Sequence, residues 1–400
     1  MNVTIRPGQR KGRIQAPPSK SYAHRLLLSA ALTGAGACID GVDVSGDISA
    51  TLACIRSLGG EYTAENGSVC ILRPMTGEGS GILPCHESGS TLRFFLPVAL
   101  ALRGEAIFTG TRRLMERGAE LYEELLAPLG VTFEKSEESI TVRGTLSPGD
   151  YSLRGDVSSQ YVTGLLLALP LLPGESTLRI VPPVESRPYV DITLDVLRKS
   201  GIVVRETGEN CFSIPGDQHY SLRHGTIEGD WSNGAFWYAL QALGYPVEVT
   251  GLDPNSVQGD RLCPELLARL RTPDAVVDLR QNPDLGPLLF AAAACLCGAE
   301  FTGIRRLRTK ESDRVLSMAQ ELRKCGVAVT AEDDRVVIRT DGLHNSEEPL
   351  SGHNDHRVVM ALALLCTVIG GTITGAEAVG KSYPGFFEDL ASLCIVTGEE

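Results

Sequence analysis

The sequence has no apolar run long enough to cross a membrane. Its longest nearly apolar stretch, Val358–Ile369, includes Thr367 and is much shorter than the about 20 residues of a transmembrane helix. The N-terminal segment MNVTIRPGQRKGRIQ lacks the apolar region of a secretory signal. We therefore expect a cytoplasmic protein that is neither exported nor inserted into a membrane.

Paired cysteines are also missing. The eleven cysteines include no C-x-x-C pair and are scattered from Cys38 to Cys394, whereas a zinc ribbon or a disulfide framework would show paired spacing. Cys295 and Cys297 lie in the apolar segment LLFAAAACLC, where we interpret them as small core residues. The pattern fits a reducing compartment and predicts neither a metal site nor a set of disulfides.

The familiar nucleotide and hydrolase motifs are absent. The sequence contains no G-x-x-x-x-G-K-[ST], no G-x-G-x-x-G after a strand and no G-x-S-x-G, so nothing indicates a nucleotide phosphate loop or a bound cofactor. The net charge of −12, from 37 basic and 49 acidic residues, should repel nucleic acid and anionic membranes unless a local basic patch overrides it.

What the sequence does contain is a recurring unit, in which an amphipathic helix ends at a small residue and two short β runs follow. Gly60, Gly130, Gly201 and Gly326 mark the four clear copies, each at a predicted left-handed helix end. Apolar helices such as STLRFFLPVALALRG and DHRVVMALALLCTVIGG lie between the copies and are predicted to be buried. An internal repeat of this kind predicts two similar α/β lobes joined by a short hinge.

Several predicted helices begin at clusters of hydroxyl and basic residues. Each cluster can cap its helix and leaves backbone N–H groups at a positive helix end. Ordinary capping, or a solvated charged face, would explain any single cluster. The cations at these helix starts are Lys20, Arg25, Arg93, Lys310, Arg314 and Arg357. In so acidic a chain, their combination with hydroxyl groups predicts a site for anions.

Eight segments carry a family resemblance, in the order PPSKSYAHR, ESGSTLR, LMERG, VSSQYVTGLLLALPLL, ESRPYVDIT, KESDR, NDHR and KSYPGFFEDL. They run from residue 17 to residue 390, and together they closely resemble the 5-enolpyruvylshikimate-3-phosphate (EPSP) synthase family. The resemblance implies a two-lobed inside-out α/β barrel built from six βα repeat units. It also implies one discontinuous lobe of residues 1–17 plus 228–400 and a second lobe of residues 18–227.

The resemblance further implies a transferase that needs no cofactor and no metal. The family joins the enolpyruvyl group of phosphoenolpyruvate to the 5-hydroxyl of shikimate 3-phosphate and releases phosphate, on the pathway to chorismate and aromatic amino acids. The reaction is an addition followed by an elimination, through a tetrahedral intermediate. Both substrates are polyanions, which agrees with the predicted anion site. We expect these small molecules, and neither nucleic acid nor membrane, as partners of a monomeric enzyme.

Candidate site residues follow from positions in the matching motifs. Those implied to contact shikimate 3-phosphate are Lys20, Ser21, Arg25, Ser158, Ser159, Gln160, Ser186, Asp284 and Lys310. Those implied to contact phosphoenolpyruvate are Lys20, Gly89, Arg117, Gln160, Arg314, Arg357 and Lys381. Asp284 matches the catalytic base, and Glu311 and Lys20 match the residues of proton transfer. On the residues alone, Asp284 could instead cap a helix, and Glu311 could be a charge in a first helical turn.

One loop departs from the family pattern, and two other functions remain open. Many members have Gly-Asn-Ala-Gly-Thr-Ala where this chain has His86–Thr91, and the negative charge of Glu87 predicts altered affinity for phosphoenolpyruvate and for the competitor glyphosate. A related transferase acts on UDP-N-acetylglucosamine, but it uses a loop cysteine that the segment Arg113–Arg117 lacks. A repeat scaffold that binds anions without turnover is the third possibility.

Overall fold

The computed structural model describes residues 1–34, 36–340 and 342–395. The chain divides into two compact units. One unit comprises Met1–Ser19 together with the chain from Gly229 onward, and the other comprises Lys20–Glu228. Each unit has its own hydrophobic core of buried side chains.

The first unit opens with strands β1 (Asn2–Ile5) and β2 (Arg10–Gln15). The unit Lys20–Glu228 then contains seven α-helices within its described residues: α1 (Lys20–Leu32), α2 (Gly46–Ser57), α3 (Gly89–Arg103), α4 (Arg112–Arg117), α5 (Glu120–Leu126), α6 (Ser159–Ala168) and α7 (Arg187–Lys199). Its strands are β3 (Ala37–Asp40), β4 (Glu61–Glu65), β5 (Ser68–Arg73), β6 (Ile82–His86), β7 (Glu105–Gly110), β8 (Thr132–Lys135), β9 (Ser139–Arg143), β10 (Asp150–Arg154), β11 (Ser176–Val181), β12 (Arg205–Gly208), β13 (Cys211–Ile214) and β14 (His224–Thr226).

After Gly229 the chain returns to the first unit. The helices of this part are α8 (Trp231–Ala242), α9 (Cys263–Arg269), α10 (Gly286–Cys295), α11 (Arg314–Lys324), α12 (His356–Ile369) and α13 (Phe386–Ser392). The strands are β15 (Val247–Thr250), β16 (Val276–Asp278), β17 (Ala299–Thr302), β18 (Ala328–Ala331), β19 (Arg335–Arg339), β20 (Leu350–Ser351), β21 (Gly371–Thr374) and β22 (Cys394–Ile395). Short 3₁₀ turns at Pro283–Leu285 and Ala376–Lys381 contain Asp284 and Lys381, and a third, Arg305–Thr309, directly precedes Lys310.

The sheets repeat one design. In four of them, two parallel strands lead into an antiparallel hairpin, in the orders β14-β3-β5-β4, β6-β7-β9-β8, β10-β11-β13-β12 and β16-β17-β19-β18. Two three-stranded sheets, β15-β2-β22 and β1-β21-β20, complete the set among the described residues. The predicted α/β fold of βα repeat units is thereby confirmed, and the four predicted hairpins are β4-β5, β8-β9, β12-β13 and β18-β19.

The helix ends of the repeats follow the prediction with one exception. Gly130, Gly201 and Gly326 have positive φ values of 90°, 77° and 79°. In the first copy the left-handed residue is Gly59, with φ of 88°, and the prediction of Gly60 was wrong by one position. Gly60 meets a different demand, since a Cβ there would lie 2.6 Å from Cγ2 of Ile55.

The apolar helices α3, α6, α10 and α12 are buried along most of their lengths. Burial extends to their first residues, Gly89, Ser159, Gly286 and His356, so packing fixes the positions of these helix starts. No helix in the described ranges is both long and apolar enough to cross a membrane. Within the same ranges, no group of three or more His, Cys, Asp and Glu side chains is arranged to hold a metal ion.

The structure contains one disulfide that the spacing of the cysteines does not indicate. Cys38 in β3 and Cys70 in β5 are direct cross-strand partners and form a disulfide bond. This single bond was not predicted, because the partners are 32 residues apart and meet only when the sheet forms. The other nine cysteines are free thiols. The interpretation of Cys295 and Cys297 as core residues was wrong for Cys297, which is exposed, while Cys295 is partly buried.

Candidate active-site clusters

In the unit Lys20–Glu228, the starts of α3 and α6 bring Gly89 and Gln160 together. Ser88 caps α3 by accepting a hydrogen bond from the backbone N–H of Thr91, and Ser158 caps α6 in the same way. The side-chain Nε2 of Gln160 donates to Oγ of Ser90 at 3.0 Å. A Cβ on Gly89 would lie 3.2 Å from Oε1 of Gln160. The two helix starts are therefore joined by direct side-chain contacts.

Arginine groups surround the same point. A Cβ on Gly89 would lie 3.0 Å from guanidinium nitrogens of both Arg93 and Arg117. Arg93 donates to Oε1 of Gln160 at 2.6 Å and to the backbone carbonyl of Arg117 at 2.7 Å. The structure thus gathers Gly89, Arg117 and Gln160, which were predicted to share one ligand. Arg93 therefore binds both Gln160 and the C-terminal end of α4. The sequence pattern placed Arg93 among the cations at helix starts but did not indicate this role.

Lys20, the first residue of α1, has a carboxylate partner that was not predicted. Its ammonium lies 2.7 Å from Oδ2 of Asp47, in the first turn of α2. Behind this pair, His24 contacts Oγ1 of Thr51 at 2.7 Å, and Thr51 contacts Thr91 at 2.9 Å. Burial, together with Lys20 and Arg25, holds the pKa of His24 well below its ordinary value. His24 is therefore a neutral link in a buried polar chain.

Arg25 is a buried cation held by neutral groups. It donates to the hydroxyls of Thr193 and Thr163 at 2.8 Å and 3.2 Å, and to the carbonyls of Ser21 and Tyr189 at 2.7 Å and 3.0 Å. Burial lowers the pKa of Arg25, but an arginine stays protonated in proteins. No carboxylate of the described chain pairs with this charge.

The remaining predicted residues of this unit lie in or directly before three helices. Ser21 follows Lys20 in α1, and Ser159 is the buried first residue of α6. Ser186 directly precedes α7 and is fully buried, with a left-handed φ of 56°. Tyr189, in the first turn of α7, supplies one of the carbonyls that hold Arg25.

In the other unit, Arg314 at the start of α11 binds three carboxylates. Its side chain is 2% exposed and lies 2.8 Å from Asp284, 2.9 Å from Glu311 and 2.9 Å from Asp355. Lys310 lies 3.0 Å from the same oxygen of Asp284. Four predicted residues, Asp284, Lys310, Glu311 and Arg314, therefore form one connected cluster.

The geometry excludes the two local alternatives, which are a cap of α10 at Asp284 and a first-turn charge of α11 at Glu311. The capping position of α10 belongs to Leu285 and has no side-chain cap, while Asp284 accepts from Lys310 and Arg314. Glu311 lies before α11 rather than in its first turn. Burial alone would raise the pKa of Asp284, but the charges of Lys310 and Arg314 outweigh it and hold this pKa well below the ordinary value. Asp284 is thus ionised at neutral pH.

Arg357 and Lys381 lie at the start of α12 and beside it. Asp355 caps α12 by accepting from the backbone N–H of Arg357 at 2.9 Å. The guanidinium of Arg357 donates to the carbonyl of Ser232 at 2.8 Å and to Oδ1 of Asn233 at 3.1 Å. Lys381 donates to the carbonyl of Asn354 at 2.6 Å. Asp355 therefore links the start of α12 to Arg314.

A further buried acid supports this cluster and was not predicted. Asp260 is 5% exposed and accepts hydrogen bonds from Ser232 and from Nδ2 of Asn282, the latter at 3.0 Å. Burial and the charge of Asp284 raise the pKa of Asp260. It holds Asn282 just ahead of the turn that carries Asp284. No motif marks it, because its role depends on contacts between distant segments.

Comparison with solved structures first gives the class of fold. An EPSP synthase from Acinetobacter baumannii matches with a TM-score of 0.78 and 24% identity, over 99% of this chain and 98% of its own. The enolpyruvyl transferase NikO from Streptomyces tendae matches with a TM-score of 0.76 and 17% identity, over 98% and 96% of the two chains. The fold is that of enolpyruvyl transferases.

Sequence comparison then specifies the family. The profile described as EPSP synthase (3-phosphoshikimate 1-carboxyvinyltransferase) matches residues 5–390. A relative of that name from Clostridium kluyveri is 39% identical, over 98% of this chain and 97% of its own. Another from Clostridium botulinum is 34% identical, over 97% and 96%. The chain belongs to the EPSP synthase family, which confirms the resemblance found in its motifs.

Proposed function

We propose that this protein is a 3-phosphoshikimate 1-carboxyvinyltransferase, which transfers the enolpyruvyl group of phosphoenolpyruvate to the 5-hydroxyl of shikimate 3-phosphate. Family membership supports the reaction. The observation that carries the proposal is that buried arginines lie near helix starts, Arg25 and Arg93 in the unit Lys20–Glu228 and Arg357 in the other unit. Their described hydrogen bonds all go to neutral acceptors, and none of the described ion pairs includes them.

Buried charges are normally paired, because an unpaired ion in the interior costs several kcal/mol. In a chain of net charge −12, buried cations that form no direct ion pair with a carboxylate are suited to ligands that bring their own negative charge. The Nε atoms of Arg93 and Arg357 are buried without a partner in the described residues. Phosphate and carboxylate groups of the two substrates would supply the missing counter-charges.

The substrate assignments retain the residues implied by the motifs. Shikimate 3-phosphate is bound by Lys20, Ser21, Arg25, Ser158, Ser159, Gln160, Ser186, Asp284 and Lys310. Phosphoenolpyruvate is bound by Lys20, Gly89, Arg117, Gln160, Arg314, Arg357 and Lys381. The gathering of Gly89, Arg117 and Gln160 in one unit, and of Asp284, Lys310 and Arg314 in the other, supports these assignments.

Asp284 acts as the base in the addition step. It accepts the proton of the 5-hydroxyl as that oxygen attacks C2 of phosphoenolpyruvate, while the methylene carbon takes a proton from Lys20 or Glu311. Elimination then removes a proton from the same carbon and expels phosphate. In the substrate-free protein, the neighbouring Lys310 and Arg314 make Asp284 a weak base. Substrate anions that bind to these cations would offset their effect and make Asp284 more basic.

An assay of phosphate release distinguishes this function from its two alternatives, a transferase that acts on UDP-N-acetylglucosamine and a scaffold that binds anions without turnover. We expect release that requires both phosphoenolpyruvate and shikimate 3-phosphate, with the condensed product identified by mass. Release with UDP-N-acetylglucosamine in place of shikimate 3-phosphate would identify the related transferase. Binding of both anions without any release would identify a scaffold. We further propose a monomeric, cytoplasmic enzyme, for which sedimentation analysis and cell fractionation are the tests.

A further inference from the structure

The turn before α12 contains two consecutive residues in the left-handed conformation. The φ angles are 48° at His353 and 52° at Asn354. Residues with side chains adopt this conformation infrequently, and its cost is tolerated only where surrounding contacts hold it. The turn leads directly into Asp355, which binds Arg314, and the carbonyl of Asn354 binds Lys381. Its shape therefore determines where both of these acceptors lie.

A buried carboxylate from another helix holds this turn. Glu321 lies in α11, and its side chain is 2% exposed. It accepts hydrogen bonds from the backbone N–H of Ser351 at 3.0 Å, from Nε2 of His353 at 2.8 Å and from the ammonium of Lys324 at 2.8 Å. Because an ionised carboxylate only accepts, Nε2 of His353 is the donor. Two of the three donors thus belong to the segment that forms the turn.

The charge state of Glu321 agrees with this role. Burial would raise its pKa, but the hydrogen bonds from His353, Lys324 and Ser351 outweigh burial and lower the pKa below the ordinary value. An ionised carboxylate forms stronger hydrogen bonds than a neutral group does. Glu321 and Arg314 are seven residues apart in the same helix, a spacing of about two turns that places them on one face. The same helix therefore supplies a cation of the site and the support of the turn that faces it.

We propose that Glu321 is a positioning residue for phosphoenolpyruvate, which acts by holding the turn Ser351–Asn354. Through Asn354 and Asp355, the turn sets the positions of Lys381 and Arg314. This inference rests on the proposed function, in which those two cations bind phosphoenolpyruvate. Glu321 acts through other residues and is not a catalytic residue. A merely structural role would lower stability without selectively weakening one substrate.

The test is the variant Glu321→Gln. It keeps the shape of the side chain but replaces one of the two acceptor oxygens with an NH₂ group, which cannot accept a hydrogen bond from the turn or from Lys324. We expect the phosphoenolpyruvate KM to rise about tenfold, the equivalent of one lost charge-assisted hydrogen bond. The shikimate 3-phosphate KM and kcat should change by no more than about twofold. In the substrate-free protein, amide hydrogen exchange of residues 351–356 should become faster.

Lys324→Met is the matched control, because it removes the third partner of the same carboxylate without touching the turn. It should keep the wild-type KM and the wild-type exchange rates. The second variant is His353→Asn. It removes the imidazole, and asparagine tolerates the left-handed conformation at this position. It replaces Glu321→Gln in the test if that variant does not fold. The double variant should be no worse than the more severe single one, since both act through one contact.

Unchanged exchange in the turn, equal effects in Lys324→Met, or strictly additive effects in the double variant would each overturn the proposal. Faster exchange with a wild-type phosphoenolpyruvate KM would also overturn it. The phosphate-release assay of the wild-type protein tests the underlying function, and the separate variant Lys381→Ala tests the assignment of that cation to phosphoenolpyruvate. If Lys381→Ala leaves the phosphoenolpyruvate KM unchanged, the assignment of that cation fails independently of any result at Glu321.

Discussion

The ammonium of Lys310 and the carboxylate of Asp284 lie 3.0 Å apart, and Arg314 contacts the same carboxylate oxygen at 2.8 Å. Two cations on one oxygen keep Asp284 ionised but reduce its basicity. The chemistry proposed for Asp284 therefore depends on how substrate anions redistribute these contacts.

Replacement of Asp284 should abolish turnover while largely preserving substrate binding. For Asp284→Ala we expect kcat to fall by about 10²–10⁴-fold, the usual contribution of a general base. Steady-state kinetics and calorimetric titration of each substrate measure the two effects. Asp284→Asn, which has nearly the same shape, serves as the matched variant against loss of packing. If kcat stays within a small factor of wild type in both, Asp284 is not the base.

Neutralising Lys310 should move the acid limb of the pH profile. The pKa of Asp284 is lowered by Lys310 and Arg314, so Lys310→Met should raise it. A base works only when deprotonated, so kcat declines as the pH falls through its pKa, and a higher pKa moves that decline to higher pH. Profiles of kcat at saturating substrates provide the measurement. Lys11→Met, at an exposed position, is the control, and an acid limb that stays in place or moves to lower pH would contradict the assignment.

Loss of Arg117 should weaken phosphoenolpyruvate selectively. Arg117 adjoins Gly89, and Arg93 holds its carbonyl. For Arg117→Ala we expect the phosphoenolpyruvate KM to rise about 10–100-fold, because each charge-assisted hydrogen bond contributes about 1.5–3 kcal/mol. Arg112→Ala in the same helix removes an exposed arginine that pairs with Glu116, and it should behave as wild type. Equal KM values for Arg117→Ala and wild type would exclude Arg117 from the site.

The charge of Glu87 should weaken the binding of anions. Glu87 directly precedes Ser88, the cap of α3, and the next residue is Gly89. Removing its charge in Glu87→Asn should lower the phosphoenolpyruvate KM and the glyphosate inhibition constant by about 2–5-fold, the size expected for a partly solvated charge near an anion. Glu65→Gln in β4 is a control at an exposed position. If both constants remain unchanged, Glu87 has no effect on this site.

The disulfide between Cys38 and Cys70 should stabilise the unit that contains it. Closing a loop of 32 residues contributes about 3–4 kcal/mol to the free energy of unfolding in the chain-entropy treatment. Urea unfolding with and without a dithiol reductant measures this difference, and Cys38→Ser/Cys70→Ser should show no response to the reductant. Thiol titration of the unreduced, unfolded protein should find nine free cysteines. A count of eleven would contradict the bond.

The sequence by itself determined the features that depend on neighbouring residues. Helix capping is local, so Ser88, Ser158 and Asp355 could be recognised as caps before α3, α6 and α12. The hairpin repeats and the buried apolar helices follow from periodicity in the same way. The one local error, Gly60 in place of Gly59, arose because two adjacent glycines satisfy the same pattern.

Only the tertiary structure decided which distant groups meet. Asp47 beside Lys20, Arg93 beside Gln160 and Asp260 beside Asn282 are contacts between elements 22 to 67 residues apart. The pairing of Cys38 with Cys70 likewise depends on the register of one sheet. Such contacts carry no local pattern, because each residue alone could equally face solvent. Within each unit, the packing of buried helix starts decides which charged groups meet. Arg25, Arg93 and Arg357 form no described ion pair, which is the reason for the proposal that substrate anions balance them.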